Sequence, residues 1–234
     1  VPIDSLIDPK YINQRMSSFS WKKATPSSEV SQGKILGYES NETTHYSIVD
    51  QFGNAVAVTT TLNTNYGSKV LVKGAGFFLN NEMDDFSSKP DVPNVYGLLG
   101  SSANAIASEK RMLSSMTPTI VEKDGKLFMV LGTPGGSTII TSVLQNIINV
   151  VDYKMGMQES VNQPRFHHQW LPDEIKLEPN SFDEKTKKEL AILGYSILEK
   201  NSTIIGRVDA ILVLPNGKLE GGADKRGDDT AAGF

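Results

Sequence analysis

From residue 43 onward the chain is a succession of short β-prone runs and longer runs of helical period. Thr44 to Val49 and Ala55 to Leu62 flank Asp50-Gln51-Phe52-Gly53-Asn54, a pattern that predicts a hairpin. If Val49 faces Ala55, counting back along both strands sets Thr43 opposite Thr61, within side-chain reach; a slip of one residue would turn both faces over. Thr119 to Lys123 and Lys126 to Leu131 flank Asp124-Gly125, a second hairpin signal. After Gly132-Thr133-Pro134-Gly135-Gly136-Ser137, the spacing of Ile139, Ile140, Val143, Leu144, Ile147 and Val151 predicts a helix with one buried face. Another helix is predicted from Asp183 to Leu193, stopped by Gly194. Tyr195 to Glu199 and Val208 to Leu214 read as strands. Hairpins punctuated by helices predict an α+β fold with antiparallel sheets covered by helices, rather than a parallel βαβ array.

The first 42 residues are polar and loosely patterned. Asp8 and Pro9 suit the cap and first position of a short helix, with Tyr11, Ile12, Met16 and Phe19 on one side. Ala24 to Glu29 reads as linker. Val1-Pro2-Ile3-Asp4 has neither an initiating methionine nor a signal-peptide pattern, so we expect the chain to continue a longer protein whose missing part would carry any export signal.

Composition narrows the function classes. The 234 residues, 38% of them hydrophobic, suffice for the core of one or two domains. Twenty-three basic against 27 acidic residues give a net charge of −4, which favours no nucleic-acid partner, and no apolar run reaches bilayer length. With no cysteine, thiolate nucleophiles, disulfides and cysteine metal sites are excluded. His167 and His168 are adjacent on an extended segment and point to opposite faces, leaving only His45 to help them; we read them as structural and expect no metal.

Glu42-Thr43-Thr44-His45-Tyr46 lies where a polar segment meets a buried strand. Alone, Thr43 is a strand residue chosen for β propensity. A chain cut before it, however, would place a hydroxyl nucleophile beside its own α-amine, whose ordinary pKa of about 8 suits proton transfer near neutrality. Gly135-Gly136 before a helix resembles a phosphate loop, but the lysine of that motif is missing. Glycines that let backbone N–H groups approach an anion, with a helix start behind them, make a suitable oxyanion hole; a plain turn is the alternative. Asn63, Glu82 and Asp85 are acceptors suited to an ammonium, or else part of a solvated acidic turn. Ser114 and Ser115 offer hydroxyl donors, or an ordinary loop.

Six segments together resemble the γ-glutamyltransferases, N-terminal-nucleophile amidases. Thr43-Thr44-His45-Tyr46-Ser47 resembles the start of their small subunit. Thr61-Leu62-Asn63, Leu79 to Phe86, Leu113 to Met116, Pro134 to Ser137 and Pro164 to Trp170 follow in the family's order and spacing, with a looser match from Asp224 to Phe234. Residues 1–42 then correspond to the tail of the large subunit and 43–234 to the small catalytic subunit, the C-terminal half of an αββα sandwich. The resemblance implies cleavage between Glu42 and Thr43, Thr43 as nucleophile with Thr61 in the catalytic group, and Gly135 and Gly136 as oxyanion hole. It gives Asn63, Glu82 and Asp85 to the α-ammonium of the γ-glutamyl donor and Ser114 and Ser115 to its carboxylate. Tyr96 matches a loop over the site.

Met112 stands where the family usually has proline, Thr117 where it often has serine, and Glu82 where some bacterial relatives have glutamine. The implied activity is transfer of a γ-glutamyl group from glutathione-like donors to water or to amino-acid or dipeptide acceptors. It needs no cofactor, takes the large subunit as partner, and is carried out in the periplasm or outside the cell. A related acylase or capsule transpeptidase on the same scaffold, and a non-catalytic fragment lacking the large subunit, are the alternatives.

Overall fold

The computed structural model describes residues 4, 7–30, 42–87, 102–114, 116–200 and 204–233. A short helix, α1 (Pro9–Arg15), starts at Asp8, whose side chain accepts the Lys10 N–H. β1 (Glu42–Val49) and β2 (Ala55–Asn63) then form the first hairpin in the register counted above, Val49 opposite Ala55 and Thr43 opposite Thr61. Asp50 holds the turn, its Oδ1 accepting the N–H groups of Phe52 and Asn54 at 2.8 Å each. At the far end the ladder breaks. Glu42 pairs with Asn63, so Leu62 is an extra residue in β2, a bulge of the kind found beside active sites.

β3 (Leu71–Val72) and β4 (Phe77–Phe78) make a small hairpin. β5 (Thr119–Lys123) and β6 (Lys126–Gly132) meet at Asp124 and Gly125, both at positive φ as a tight two-residue turn requires. α2 (Ile139–Val151) and α3 (Met157–Asn162) follow, then β7 (Phe166–His167) and β8 (Ile175–Leu177). α4 (Glu184–Leu193) is capped by Asp183 and ended by Gly194 in the left-handed region, and leads to β9 (Ile197–Glu199). β10 (Asp209–Val213) and β11 (Leu219–Gly222) complete a four-stranded antiparallel sheet in the order β11-β10-β6-β5.

Two expectations change. β8 and β9 run parallel, joined through α4, so one βαβ unit stands among the hairpins; strands of three residues carry too little pattern for their direction to be read. Nor is Ala24 to Glu29 a free linker. The Ala24 N–H donates to the Leu193 carbonyl at 2.7 Å, the Ser27 N–H to Asp173 at 2.8 Å, and the Trp170 indole to the Ser27 carbonyl at 2.8 Å.

The four-stranded sheet is covered on both faces. Met129, Leu131, Ala210 and Leu212 pack with Val143, Met157 and Val161 of α2 and α3. The β1–β2 hairpin contacts the sheet through β5, β6 and β10. Met129, Val130 and Leu131 are therefore fully buried, and β6 reads as an unbroken apolar run. The layers are helix, sheet and hairpin. The outer hairpin face carries Tyr46, Ile48, Val56 and Leu62, all exposed, with no further layer over it among the described residues.

Candidate active site

Thr43, His45 and Ser47 alternate on the inner face of β1. The Thr43 Oγ1 is buried and has no hydrogen-bond partner among the described residues. Across the ladder, the Thr61 Oγ1 accepts the Asn63 N–H at 2.9 Å. His45 sits one inward position along, its Nδ1 2.7 Å from Thr59 Oγ1 and its Nε2 3.0 Å from Ser47 Oγ. Ser47 Oγ donates in turn to the Asp209 carbonyl at 3.3 Å. Burial lowers the His45 pKa to about 4, which keeps the imidazole neutral. Sequence reasoning weighed His45 only as a possible metal ligand. Its place on the inner face of β1, two residues from Thr43, was the available signal for a buried, hydrogen-bonded position.

The end of β6 brings the glycine pair to the same place. Gly135 has φ +141° and Gly136 φ +58°, both within the range that favours glycine. A Cβ on Gly135 would meet Thr138 Oγ1 at 2.6 Å and Gly206 Cα at 3.2 Å. Gly136 is buried and opens the turn that leads into α2. Thr43 and Gly135 line one cleft of about 400 Å³, together with Lys176, Gly206 and Arg207. A second cleft on Thr43, of about 280 Å³, is lined by Thr61, Thr64 and Tyr66.

The acidic group is tied to the end of β2. Buried Asn63, at φ +77°, donates from Nδ2 to the Asn81 carbonyl at 3.1 Å, and the Thr64 N–H donates to Asn81 Oδ1 at 3.2 Å. Glu82 and Asp85 sit on the following turn. Asp85 is buried and its pKa is raised to about 6, by burial first and then by the charges of Glu82 and Asp84. Burial also raises that of Glu82. Asn104, which the sequence did not single out, fastens this segment from behind. Its Nδ2 donates to the Asp85 carbonyl at 2.7 Å, and its Oδ1 accepts the Leu113 N–H at 3.0 Å. Leu113 leads to Ser114, which is exposed and accepts the Met116 N–H at 3.4 Å. Ser115 and Tyr96 lie outside the described residues.

A buried ionic cluster supports the cleft wall. The Arg165 guanidinium reaches Asp224 at 2.7 Å and the Ile205 carbonyl at 2.8 Å. Glu178 accepts the Arg165 and Ile205 N–H groups and both ends of the Arg226 guanidinium. Burial alone would raise the Asp224 pKa, but Arg165 and the N–H groups of Val208 and Arg226 outweigh it and hold it low. His167 uses both ring nitrogens, on Thr141 and Gln169, and His168 contacts Asp173. Among the described residues no helix is long and apolar enough to cross a membrane.

This arrangement has counterparts in known proteins. The family described as gamma-glutamyltranspeptidase matches residues 1–234. The glutathione hydrolase proenzyme of Escherichia coli (strain K12) is 51% identical over 235 residues, covering 100% of this chain and 40% of that proenzyme. The chain thus spans well under half of that relative's length. A mutant gamma-glutamyltranspeptidase structure from Helicobacter pylori is 55% identical with a TM-score of 0.75, covering 79% of this chain and 100% of that one. The cephalosporin acylase of Bacillus halodurans shares 22% identity at a TM-score of 0.81, covering 100% of this chain and 40% of that one, a likeness of fold. The fold is α+β, of the N-terminal-nucleophile hydrolase type.

Proposed function

We propose, from the premise that this chain belongs to the gamma-glutamyltranspeptidase family, that it carries the catalytic centre of a γ-glutamyl-transferring and glutathione-hydrolysing enzyme. The observation that carries the reading is the buried Thr43 Oγ1, without a hydrogen-bond partner among the described residues, in one cleft with Gly135. A hydroxyl without a partner is available to react, and a glycine backbone beside it can receive developing negative charge.

Two acts follow. In the first, Thr43 Oγ1 attacks the Glu42 carbonyl, the C–N bond breaks, and the amine takes the proton. Water then hydrolyses the ester, leaving a carboxylate on Glu42 and a free amine on Thr43. Residues 1–42 and 43–234 become separate segments, the tail of a large subunit and a small subunit. In the second, that amine takes the Oγ1 proton as the oxygen attacks the γ-carbonyl of a glutathione-like donor. The Gly135 and Gly136 N–H groups hold the oxyanion, and Thr61 orders the far side of the ladder. The leaving amine departs with the proton, and water or an acceptor amine takes the glutamyl group from Thr43.

Asn63, Glu82 and Asp85 receive the donor's ammonium. Ser114 and Ser115 hold its carboxylate, and Tyr96 covers the site. The exposed hairpin face of Tyr46, Ile48 and Val56 supports a covering partner, the rest of the proenzyme. Export to the periplasm or the exterior is part of this reading. Intact mass and release of a γ-glutamyl anilide test it in the complete protein. The parent should be cut between Glu42 and Thr43 and be active, and Thr43→Ala should be neither. A variant processed as fast as the parent would remove Thr43 from the role.

A further inference from the structure

We propose that the cleft beside Gly135 is a second recognition site, in which Lys176 and Arg207 hold a carboxylate beyond the scissile bond. The ligand class is a short peptide with a free C-terminus, either the peptide that leaves a glutathione-like donor or the acceptor that replaces it. The inference rests on the γ-glutamyl reading above and assigns the half of the site which that reading leaves open.

Thr43 stands between two clefts of different character. The one containing Thr61, Thr64 and Tyr66 has no lysine or arginine in its wall among the described residues. It adjoins the end of β2, where Asn63 binds the segment that carries Glu82 and Asp85. The other, of about 400 Å³, contains Gly135, Lys176 and Arg207 and none of the acceptor residues Asn63, Glu82 or Asp85. Lys176 is half-buried and Arg207 exposed, and neither lies within ion-pair distance of a carboxylate among the described residues, although the Arg207 charge acts on nearby Asp229.

Both cations are carried on fixed backbone. Lys176 lies in the middle of β8, paired with His167 on one side and Leu198 on the other. The Arg207 N–H donates to Thr133 Oγ1 at 2.7 Å, and its neighbour Gly206 packs directly against Gly135. The buried cluster around Glu178 clamps the preceding residue, Ile205.

A donor laid across Thr43 thus meets acceptors for its ammonium on one side and cations on the other, which gives the peptide a direction. A dipeptide reaches about 7 Å from its first atom to its carboxylate. Cations facing a substrate path steer and hold anionic groups.

The test compares leaving groups in the complete processed enzyme. Arg207→Ala and Lys176→Ala should each lower the ratio of kcat/KM for glutathione to that for a γ-glutamyl anilide, which has no carboxylate in its leaving group, by roughly three- to thirtyfold. Arg207→Lys should restore most of the ratio. In transfer, the same variants should narrow the preference for glycylglycine over its C-terminal amide. If both donors fall by one factor, the cations serve the donor's own α-carboxylate and the proposal is overturned. An unchanged ratio overturns it as well. A parent inert on both donors would overturn the γ-glutamyl reading and this inference with it.

Discussion

His45 lies directly over Gly132: a Cβ built on that glycine would come within 2.3 Å of the imidazole Cε1. The strand bearing the proposed nucleophile and the strand leading to the proposed oxyanion glycines are thus spaced by one ring on a bare backbone. The ring is also hydrogen-bonded to Thr59 and Ser47, so it cannot swing away freely. Gly132→Ala should therefore destabilise the protein by about 1–3 kcal/mol, as overpacking does, and lower turnover as well. The clash is pairwise, so adding His45→Ala should recover part of the loss. A thermal-melt double-mutant cycle that came out additive would show that the two residues are not coupled.

Asp85 supplies a pH signature. Its pKa is raised to about 6, so the carboxylate that would hold a donor ammonium is protonated below that value. The parent's kcat/KM should decline as pH falls through about 6. Asp85→Asn should lack that limb and lose roughly ten- to a hundredfold on free donors, the worth of a charge-assisted hydrogen bond. N-acetylated donors should lose much less. Equal losses on both would leave Asp85 without a role in recognition.

Asp209 makes a prediction about stability rather than rate. Burial, and then the charges of Asp229 and Asp224, raise its pKa from 3.8 to about 7. A carboxyl with a raised folded pKa favours the fold while it is protonated. That contribution is whole below 3.8 and is lost as pH rises through about 7. Asp209→Asn should therefore raise the melting temperature above the parent's near pH 8, with the difference vanishing near pH 4. A difference of the same size at both ends would trace the effect to packing.

Glu178 carries the buried cluster, accepting from the Arg226 side chain and from the Arg165 and Ile205 backbones. Glu178→Ala would strand those donors and cost about 3–5 kcal/mol. It should also impair turnover in the fraction that stays folded, since Ile205 adjoins the cleft wall. Lys185→Ala, which breaks the exposed pair with Glu189 at 3.8 Å, should change stability by less than about 0.5 kcal/mol. Chemical denaturation of the two variants side by side gives the comparison.

What the sequence made legible was whatever repeats locally. The β1–β2 register could be counted because the turn at Asp50 anchors one end, and α4 showed its cap at Asp183 and its stop at Gly194. The candidate chemistry was legible through motifs at Thr43, Gly135-Gly136 and Asn63-to-Asp85. Hidden were the relations between distant segments. Asn104 bridging Asp85 and Leu113 looks like any loop asparagine, and Glu178 like any surface acid, until the fold closes around them. The bulge at Leu62 was invisible for another reason: counting residues across a ladder assumes that no strand carries an extra one.

That bulge bears on what happens after the bond breaks. Seven paired positions, from Thr43 to Val49, lie on one side of the irregularity, and a single pair, Glu42 with Asn63, lies on the other. If the chain parts there, the two new ends are held very unequally. The amine end stays woven into the sheet, while the carboxylate end keeps one pairing and is free to drift off. Rejoining would need that loose end to return to the place it left, against the entropy it has gained. The fold would therefore make maturation a one-way step and leave its product already in position to act.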